Sequence, residues 1–304
     1  MRRRKKILII VLIIIVVLLI PLIFKDKGDT SFNAPELSEL EYSEIYFNND
    51  SANLKLSGML MLPEGKEPFP TAIIIQGSGP SYRTNGWYLS VIKYLQDNGI
   101  AVLIPDKRGC EKSEGEWIGA SFEDLASDAV SAIEYVKAQD KFKYMYIGLI
   151  GMSQGGWITP LTATKTEDVS YIANISGATV TTDEQLVYEE TNNLGPYTYK
   201  FIAKLIAPIT AENIKKKEFF APIVGFDPIP YWKNIEIPVF FGFGENDQNV
   251  PIGECIDRLR ENDLNNFMIK TYPNGGHGII DTKAKIMNQE YLNDLVKFIK
   301  DVNH

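Results

Sequence analysis

The chain has 304 residues, of which 45% are hydrophobic and 23% are charged, and it contains 23 Gly and 16 Pro. This is the composition of a globular protein with one large α/β domain or two small ones, and it excludes a disordered chain, a collagen and a coiled coil. The formal net charge is −8, but seven of the 31 Lys and Arg lie in residues 1–27 beside one acid, Asp26. Residues 28–304 therefore carry about −14, which argues against nucleic acid as a partner because phosphate binding depends on clustered Lys and Arg.

A basic and then apolar leader opens the chain. Five basic residues at positions 2–6 precede an uninterrupted apolar run of 18 residues at positions 7–24. As a helix, this run covers roughly 27 Å, close to the ~30 Å hydrocarbon core of a bilayer. The positive-inside rule keeps the basic residues in the cytoplasm and puts the rest of the chain across the membrane. We therefore predict a membrane anchor at residues 1–27 and an extracytoplasmic body at residues 28–304; the alternative is a signal peptide whose cleavage secretes the body.

A polar tether at residues 28–41 leads into the body. Two runs at residues 44–47 and 54–62 flank a polar turn, which predicts an antiparallel hairpin. Short apolar runs then alternate with helical stretches, a pattern typical of a mostly parallel sheet covered by helices on both faces. The predicted strands of this sheet are residues 71–75, 101–104, 144–150, 171–175, 238–243 and 267–272.

Two of the helices that cover this sheet can be predicted individually, at residues 122–138 and 288–301, because their apolar residues recur at helical spacing. Ser121 and Asp124 predict a capping box at the start of the first of them. The two cysteines are far apart in sequence, and two thiols make neither a disulfide framework nor a zinc site. We expect Cys110 and Cys255 to be unpaired; the alternative is a disulfide between them outside the cytoplasm.

The strongest motif is Gly-Met-Ser-Gln-Gly-Gly at residues 151–156, between the predicted strand 144–150 and a helical stretch at residues 157–165. A serine on a sharp strand-to-helix turn needs small neighbours because the turn is crowded. The turn points the Ser153 hydroxyl out of the sheet and leaves the backbone N–H of Gln154 free to meet a developing oxyanion. The pattern therefore predicts Ser153 as a nucleophile.

Residues 182–234 do not fit the alternation of strands and helices. This segment looks mostly helical and lies between two predicted strands of the sheet. An insertion of this length in an α/β domain is typical of a lid or a substrate-facing cap. Its aromatic residues would either receive an apolar acyl or aryl group of the substrate or form the core of the cap, and the sequence leaves both open: Tyr188, Tyr197, Tyr199, Phe201, Phe219 and Phe220.

A serine nucleophile needs a base and an acid that orients the base. His277 is the only histidine besides the terminal His304, and it lies in a Gly-rich loop after the predicted strand 267–272. Asp247 follows the predicted strand 238–243 and is our candidate for the acid, with Glu245 in the same loop as the alternative. The three loops follow strands at their carboxyl ends, the edge at which ligands bind in such sheets.

A second oxyanion donor is expected in the Gln-Gly-Ser-Gly-Pro loop at residues 76–80, after the first parallel strand. Glycines let the backbone approach a substrate closely. The N–H of Ser78 or of Gly79 is therefore the expected donor, beside that of Gln154.

These residues resemble the α/β-hydrolase superfamily over residues 54–302, in which the triad follows the same chain order of Ser, Asp and His. The closer resemblance is to bacterial esterase-like members, on Gly-Ser-Gly-Pro at 77–80, Asp-Lys-Arg-Gly at 106–109, the Gly-x-Ser-Gln-Gly-Gly-Trp run ending at 157, Ser-Gly-x-x-Val-Thr at 176–181 and Gly-x-x-Asp-x-x-Val-Pro at 244–251. The resemblance implies an α/β-hydrolase fold with nucleophile Ser153, acid Asp247 and base His277. It also implies oxyanion donors at Gln154 and around Ser78.

The chain departs from this group at two positions. Met152 replaces the histidine that often precedes the nucleophile, and Glu111 stands where a glycine is usual, which leaves the shape of the loop at residues 106–113 open. In that loop, we expect Asp106 and Arg108 to pair with each other and brace the rim of the site; the alternative is that Arg108 binds a carboxylate of the substrate.

The sequence therefore predicts a serine hydrolase that cleaves carboxylic esters through an acyl-enzyme. No metal or organic cofactor is implied, because the serine does the covalent work. A peptidase or amidase and an acyl-thioesterase are the alternatives, since the same triad serves all three. A non-catalytic binding protein on the same scaffold is the alternative from another class, but such a protein would be expected to lose a triad member, and none is missing.

Overall fold

The computed structural model describes residues 31–281 and 283–302. The membrane anchor predicted at residues 1–27 lies outside this part of the chain, as does His304. Within it, no helix combines the length and the apolar character needed to cross a bilayer. The described residues form one large sheet with helices packed against it.

The large sheet has eight strands: β1 (Ser43–Asn49), β2 (Leu54–Met61), β3 (Phe69–Ile75), β4 (Ala101–Pro105), β5 (Tyr144–Met152), β6 (Tyr171–Ile175), β7 (Val239–Gly244) and β8 (Met268–Tyr272). Their order is β1-β2-β4-β3-β5-β6-β7-β8. β1 and β2 form the predicted antiparallel hairpin, β2 runs antiparallel to β4, and the remaining neighbours are parallel, in agreement with the predicted mostly parallel sheet. A two-stranded sheet of β9 (Ile280–Asp281) and β10 (Ile286–Met287), which the sequence pattern does not predict, follows β8.

Eight α-helices connect these strands in the described chain. They are α1 (Gly86–Asp97), α2 (Phe122–Ala138), α3 (Gly155–Ala163), α4 (Thr182–Leu194), α5 (Lys200–Ile214), α6 (Ile229–Trp232), α7 (Ile252–Glu261) and α8 (Gln289–Asp301). The predicted capping box opens α2, since Ser121 and Asp124 each accept the other's backbone N–H. α3 begins two residues earlier than predicted, directly after the serine turn.

A hydrophobic core lies on each face of the sheet. One core contains side chains of α2, α3 and α7, and the other contains side chains of α1 and α8. Along β3, Ile73 and Ile75 face the first core, and Ala72 and Ile74 face the second. Both faces of a central strand are buried, and for this reason its sequence is apolar without alternation.

The segment between β6 and β7 is helical and contains α4, α5 and α6. α4 begins with a capping box in which Thr181 and Glu184 accept each other's backbone N–H. α5 buries only a stripe of small residues, Ala203, Ala207 and Ala211. The larger apolar side chains of α5 are exposed or half-buried.

Both cysteines are buried and unpaired, as the sequence predicts. The Cys110 thiol accepts the backbone N–H of Ser81 at 3.4 Å, and the Cys255 thiol accepts that of Thr179 at 3.4 Å.

Candidate active site

Ser153 lies on a tight turn between β5 and α3. Its φ is +54°, a left-handed conformation that is unfavourable for a residue with a side chain. The glycines around it are required by close packing: a methyl group on Gly155 would lie 2.1 Å from the carbonyl oxygen of Ile75, and one on Gly151 would lie 2.5 Å from that of Gly155. The turn can form only because these two positions lack side chains.

The histidine of the Gly-rich loop reaches this serine. His277 Nε2 lies 2.8 Å from Ser153 Oγ, and His277 Nδ1 lies 2.9 Å from Asp247 Oδ2. A carboxylate only accepts hydrogen bonds, so Nδ1 carries the proton and Nε2 is left to accept the serine hydroxyl. The three side chains form one hydrogen-bonded line from the buried carboxylate of Asp247 to the hydroxyl of the half-buried Ser153.

The carboxylate at the end of this line is fully buried. Asp247 Oδ1 accepts the backbone N–H groups of Asn249 at 2.7 Å and Val250 at 3.0 Å, which leaves Oδ2 for the histidine. Glu245, the alternative acid, is exposed and accepts the hydroxyl of Thr271 at 3.1 Å instead. The structure brings Asp247, and not Glu245, to His277.

The loop after β3 lies against the serine on its other side. A methyl group on Gly77 would lie 3.2 Å from Ser153 Cβ, so only glycine fits there without movement. The N–H of Gly77 donates to the hydroxyl of Tyr88 at 2.9 Å and is not available to a substrate. In residues 31–281 and 283–302, the backbone N–H groups of Ser78, Gly79 and Gln154 have no acceptor, and all three residues line the same cavity as Ser153.

Lys107 holds this loop from behind. Its ammonium donates to the carbonyl oxygen of Gly77 and, at 2.9 Å, to that of Gly79. The side chain is buried, and burial lowers the pKa of Lys107 to about 8, with the nearby Cys110 opposing the shift. Sequence reasoning missed the role of Lys107, which is the second residue after β4, because nothing in its local sequence indicates that it faces the loop after β3.

Trp87 also escaped the sequence analysis. Its indole ring lies 5.5 Å from the His277 ring, centroid to centroid, at an interplanar angle of 54°. The indole N–H is buried without an acceptor in the described chain. The ring therefore covers the histidine on one side.

The predicted pairing of Asp106 with Arg108 is wrong. Arg83 Nε donates to Asp106 at 2.9 Å, whereas Arg108 forms a two-point ion pair with Asp128 at 2.7 and 2.9 Å. The chain turns immediately after Asp106, where the N–H of Cys110 donates to the carbonyl of Lys107. This turn sends the arginine towards α2 and away from Asp106.

Glu111, where the related proteins usually carry glycine, keeps the backbone conformation that glycine favours. Its φ is +52°, in the left-handed region. Its carboxylate accepts the backbone N–H of Arg83 at 2.9 Å, and this contact ties the 106–113 loop to the segment before α1.

A cavity of about 610 Å³ opens beside Ser153. The sheet edge forms one wall, and the segment between β6 and β7 contributes Gln185, Leu186, Glu189, Glu190, Ile214, Phe219, Phe220 and Ile223. The aromatic residues of this segment have different surroundings: Phe219 and Phe220 line the cavity, the Tyr188 hydroxyl donates to the Asp247 carbonyl at 3.0 Å, and Phe201 is 65% exposed. Neither reading of these aromatics therefore holds for the whole set.

The described residues contain no cluster of three or more His, Cys, Asp or Glu side chains that could hold a metal ion. The chemistry available at this site is that of an activated serine, a base and backbone N–H donors.

Residues 87–303 match the prolyl oligopeptidase family, Peptidase_S9. The chain belongs to this family. It is 24% identical over 288 residues to esterase EstD of Thermotoga maritima, covering 89% of this chain and 68% of that protein. It is also 23% identical over 269 residues to the bifunctional esterase/perhydrolase DCH of Acinetobacter calcoaceticus, covering 77% of this chain and 93% of that protein.

Solved structures share the fold. An esterase of Pyrococcus furiosus superposes with a TM-score of 0.63 at 22% identity, covering 90% of this chain and 98% of that one. A bromoperoxidase from Bacillus anthracis superposes with a TM-score of 0.60 at 18% identity, covering 85% and 100%. The chain thus has the α/β-hydrolase fold and is a serine hydrolase similar to carboxylesterases.

Proposed function

We propose that this protein is a membrane-anchored esterase that cleaves carboxylic esters through an acyl-enzyme on Ser153. The observation that carries the proposal is the hydrogen-bonded line of Ser153, His277 and Asp247, of which Ser153 and His277 line the cavity. Two esterases among the relatives support the choice of an ester as substrate.

In the first half of the reaction, Ser153 Oγ attacks the ester carbonyl while His277 Nε2 takes its proton. Asp247 holds the imidazole and stabilises its charged form. The tetrahedral intermediate expels the alcohol, which receives the proton from His277. In the second half, water attacks the acyl-enzyme with His277 again as base, and the carboxylic acid leaves.

The oxyanion of each tetrahedral intermediate is bound by backbone N–H groups. Gln154 supplies one, and Ser78 supplies the second, with Gly79 beside it; these amides have no acceptor within the described chain. Gly77 does not take part because Tyr88 occupies its N–H. Donors that are fixed before the reaction stabilise developing charge without reorganisation.

The segment at residues 182–234 acts as a cap over this site, and Phe219 and Phe220 offer an apolar surface to the acyl or aryl group. The body carries about −14, so small neutral esters are favoured over anionic polymers. Peptide or amide cleavage is the second candidate, because the family takes its name from an oligopeptidase. A thioester would use the same residues.

The test is hydrolysis of p-nitrophenyl acyl esters of increasing chain length, beside an aminoacyl-nitroanilide, by the full chain in detergent. We expect ester turnover, and we expect Ser153→Ala to abolish it. Asp247→Asn should lose about 10⁴-fold in kcat because the histidine adopts the wrong tautomer, whereas the neighbouring Glu245→Gln should retain full activity. Ester turnover that survives in Ser153→Ala would overturn the proposal, and cleavage of the anilide alone would favour a peptidase.

The leader is proposed to keep the enzyme at the membrane with its body on the outer side. Cell fractionation with alkaline carbonate washing tests this: we expect the full-length chain in the membrane pellet, with the body open to added protease in intact spheroplasts. Full-length protein found only in the soluble cytosol would rule out the anchor, and a shortened chain in the medium would indicate cleavage.

A further inference from the structure

The outer face of α5 is apolar and exposed. Phe201, Leu205 and Ile209 recur every four residues and so lie on one side of the helix, where they are 65%, 72% and 65% exposed. The opposite side carries the buried alanines of α5. An exposed apolar patch on a folded protein is typical of a site that binds a membrane or another protein.

Positive charge surrounds this outer face. Residues 200–218 contain five lysines and two acids, Glu212 and Glu218, in a body that is otherwise strongly acidic. Lys200, Lys204, Lys216 and Lys217 are exposed and form no ion pair with any described residue. Apolar side chains flanked by lysines are the pattern of a helix that lies in the interface of an anionic bilayer.

The chain enters the body beside the same cavity. Phe32 and Ala34 pack against Gly86, where an added methyl group would lie 2.5 Å from Ala34 Cβ, and the N–H of Asn33 donates to the carbonyl of Lys285 at 2.7 Å. Trp87, next to Gly86, shares the cavity wall with Ile214 at the end of α5. The start of the described chain therefore packs next to one part of the cavity wall, at Trp87, and the end of α5 contributes another part of it through Ile214.

Only six residues separate the apolar leader run from Ser31. Fully extended, they span at most about 20 Å. A bilayer that holds residues 7–24 consequently passes close to the cavity wall at Trp87 and to α5.

We infer that the outer face of α5 docks into the headgroup region of the anionic bilayer that anchors the chain. This inference rests on the proposed membrane anchor. A second copy of the chain fits the face less well, because the lysines of two α5 helices would repel each other, whereas anionic headgroups complement them. Docking places the cavity mouth at the lipid surface, from which esters dissolved in the bilayer can enter.

The test places a fluorescent label on Leu205→Cys in the full chain, reconstituted into vesicles of phosphatidylcholine and phosphatidylglycerol that contain a shallow nitroxide lipid. Asp140→Cys, exposed in the turn before β5 at the opposite edge of the sheet, is the matched control. The unsubstituted chain is the labelling blank, since both native thiols are buried. Turnover of a short soluble ester checks that each variant is folded.

We expect the label at 205 to shift its emission to the blue and to be quenched by the nitroxide lipid, while the label at 140 is not. Quenching at 205 no greater than at 140, in protein that resists carbonate extraction, overturns docking but leaves the anchor intact. A label at 205 that is shielded from aqueous iodide and is not quenched by lipid overturns docking in favour of a protein partner. A chain that carbonate removes from the vesicles overturns both proposals.

Discussion

Two segments meet at Ser153, and they are held in different ways. The turn at residues 151–156 is fixed by its own sequence, since Gly151 and Gly155 permit backbone contacts that a side chain would block. The loop at residues 76–79 is fixed by side chains from elsewhere, Lys107 behind it and Tyr88 on its first amide. Both segments present a backbone N–H to the cavity, but only the conformation of the turn at residues 151–156 depends mainly on its own residues.

This difference predicts how each side of the site responds to mutation. Changes in the turn should disturb folding and the serine together, because the turn packs directly on β3. Changes to the residues that hold the loop should leave the serine in place and alter turnover through the second oxyanion donor.

Among changes to these two segments and the residues that hold them, the largest effect is expected for Gly155→Ala. Its methyl group would lie 2.1 Å from the Ile75 carbonyl, so the backbone must shift, at about 1–3 kcal/mol in the free energy of unfolding. If this shift moves the serine by about 1 Å, kcat falls about 10²-fold. Chemical denaturation and ester turnover measure the two effects. Gly253→Ala, with open space around it, is the control and should behave as wild type; equal behaviour of the two variants would contradict the packing argument.

Lys107→Met comes next. Without the ammonium, the carbonyls of Gly77 and Gly79 lose their donor and the Ser78 amide is less well placed. We expect kcat to fall about tenfold with little change in KM, because the negative charge is absent from the bound ester and develops on the carbonyl oxygen only on the way to the tetrahedral intermediate. Lys112→Met, in the same loop but exposed, should keep full kcat. A change confined to KM would show that Lys107 does not act through the oxyanion.

The pH dependence follows from the pKa of Lys107, which burial lowers to about 8 in the folded protein. The unfolded chain keeps the ordinary pKa near 10.4, so above pH 8 the unfolded state binds more protons and the free energy of unfolding rises with pH up to about 10.4. We expect the wild type to gain stability relative to Lys107→Met across this window, while its turnover falls towards that of the variant. Parallel stability curves would show that the lysine does not titrate there.

The smallest effect is expected for Tyr88→Phe. The change leaves the buried N–H of Gly77 without an acceptor, which costs about 1–3 kcal/mol of stability, and the loop keeps its contact with Lys107. We expect kcat to fall about threefold. Tyr94→Phe on the same helix, which removes a hydrogen bond to Asn293 at 2.6 Å away from the site, is the control. A loss of kcat larger than that of Lys107→Met would reverse the ranking of the two supports.

The same difference explains what the sequence could predict. The parallel strands, the capping box at Ser121 and the serine turn depend on neighbouring residues, and the structure agrees with all of them. Asp247 could be preferred to Glu245 from its loop, but only the structure shows the buried carboxylate next to His277. The three triad residues could be predicted from their order in the chain and from the loops that hold them, because the carboxyl ends of parallel strands meet at one edge of the sheet.

Contacts between distant segments could not be predicted. Lys107 faces a loop about thirty residues earlier, and nothing in its local sequence indicates this. Asp106 and Arg108 are two residues apart, yet a turn sends them to different partners, Arg83 and Asp128. Short spacing in a loop does not define geometry when the chain bends between the two residues.

Ser153 and His277 are 124 residues apart, with β6, the cap, β7 and β8 between them. The hydrogen bond between them can form only after the second half of the parallel sheet has joined β5, which makes it a late event for a chain rich in distant pairings. The reaction of Ser153 with an acylating reagent therefore reports when the parallel sheet is complete during folding. A chain that reacts has completed its sheet, whatever its helical content reports earlier.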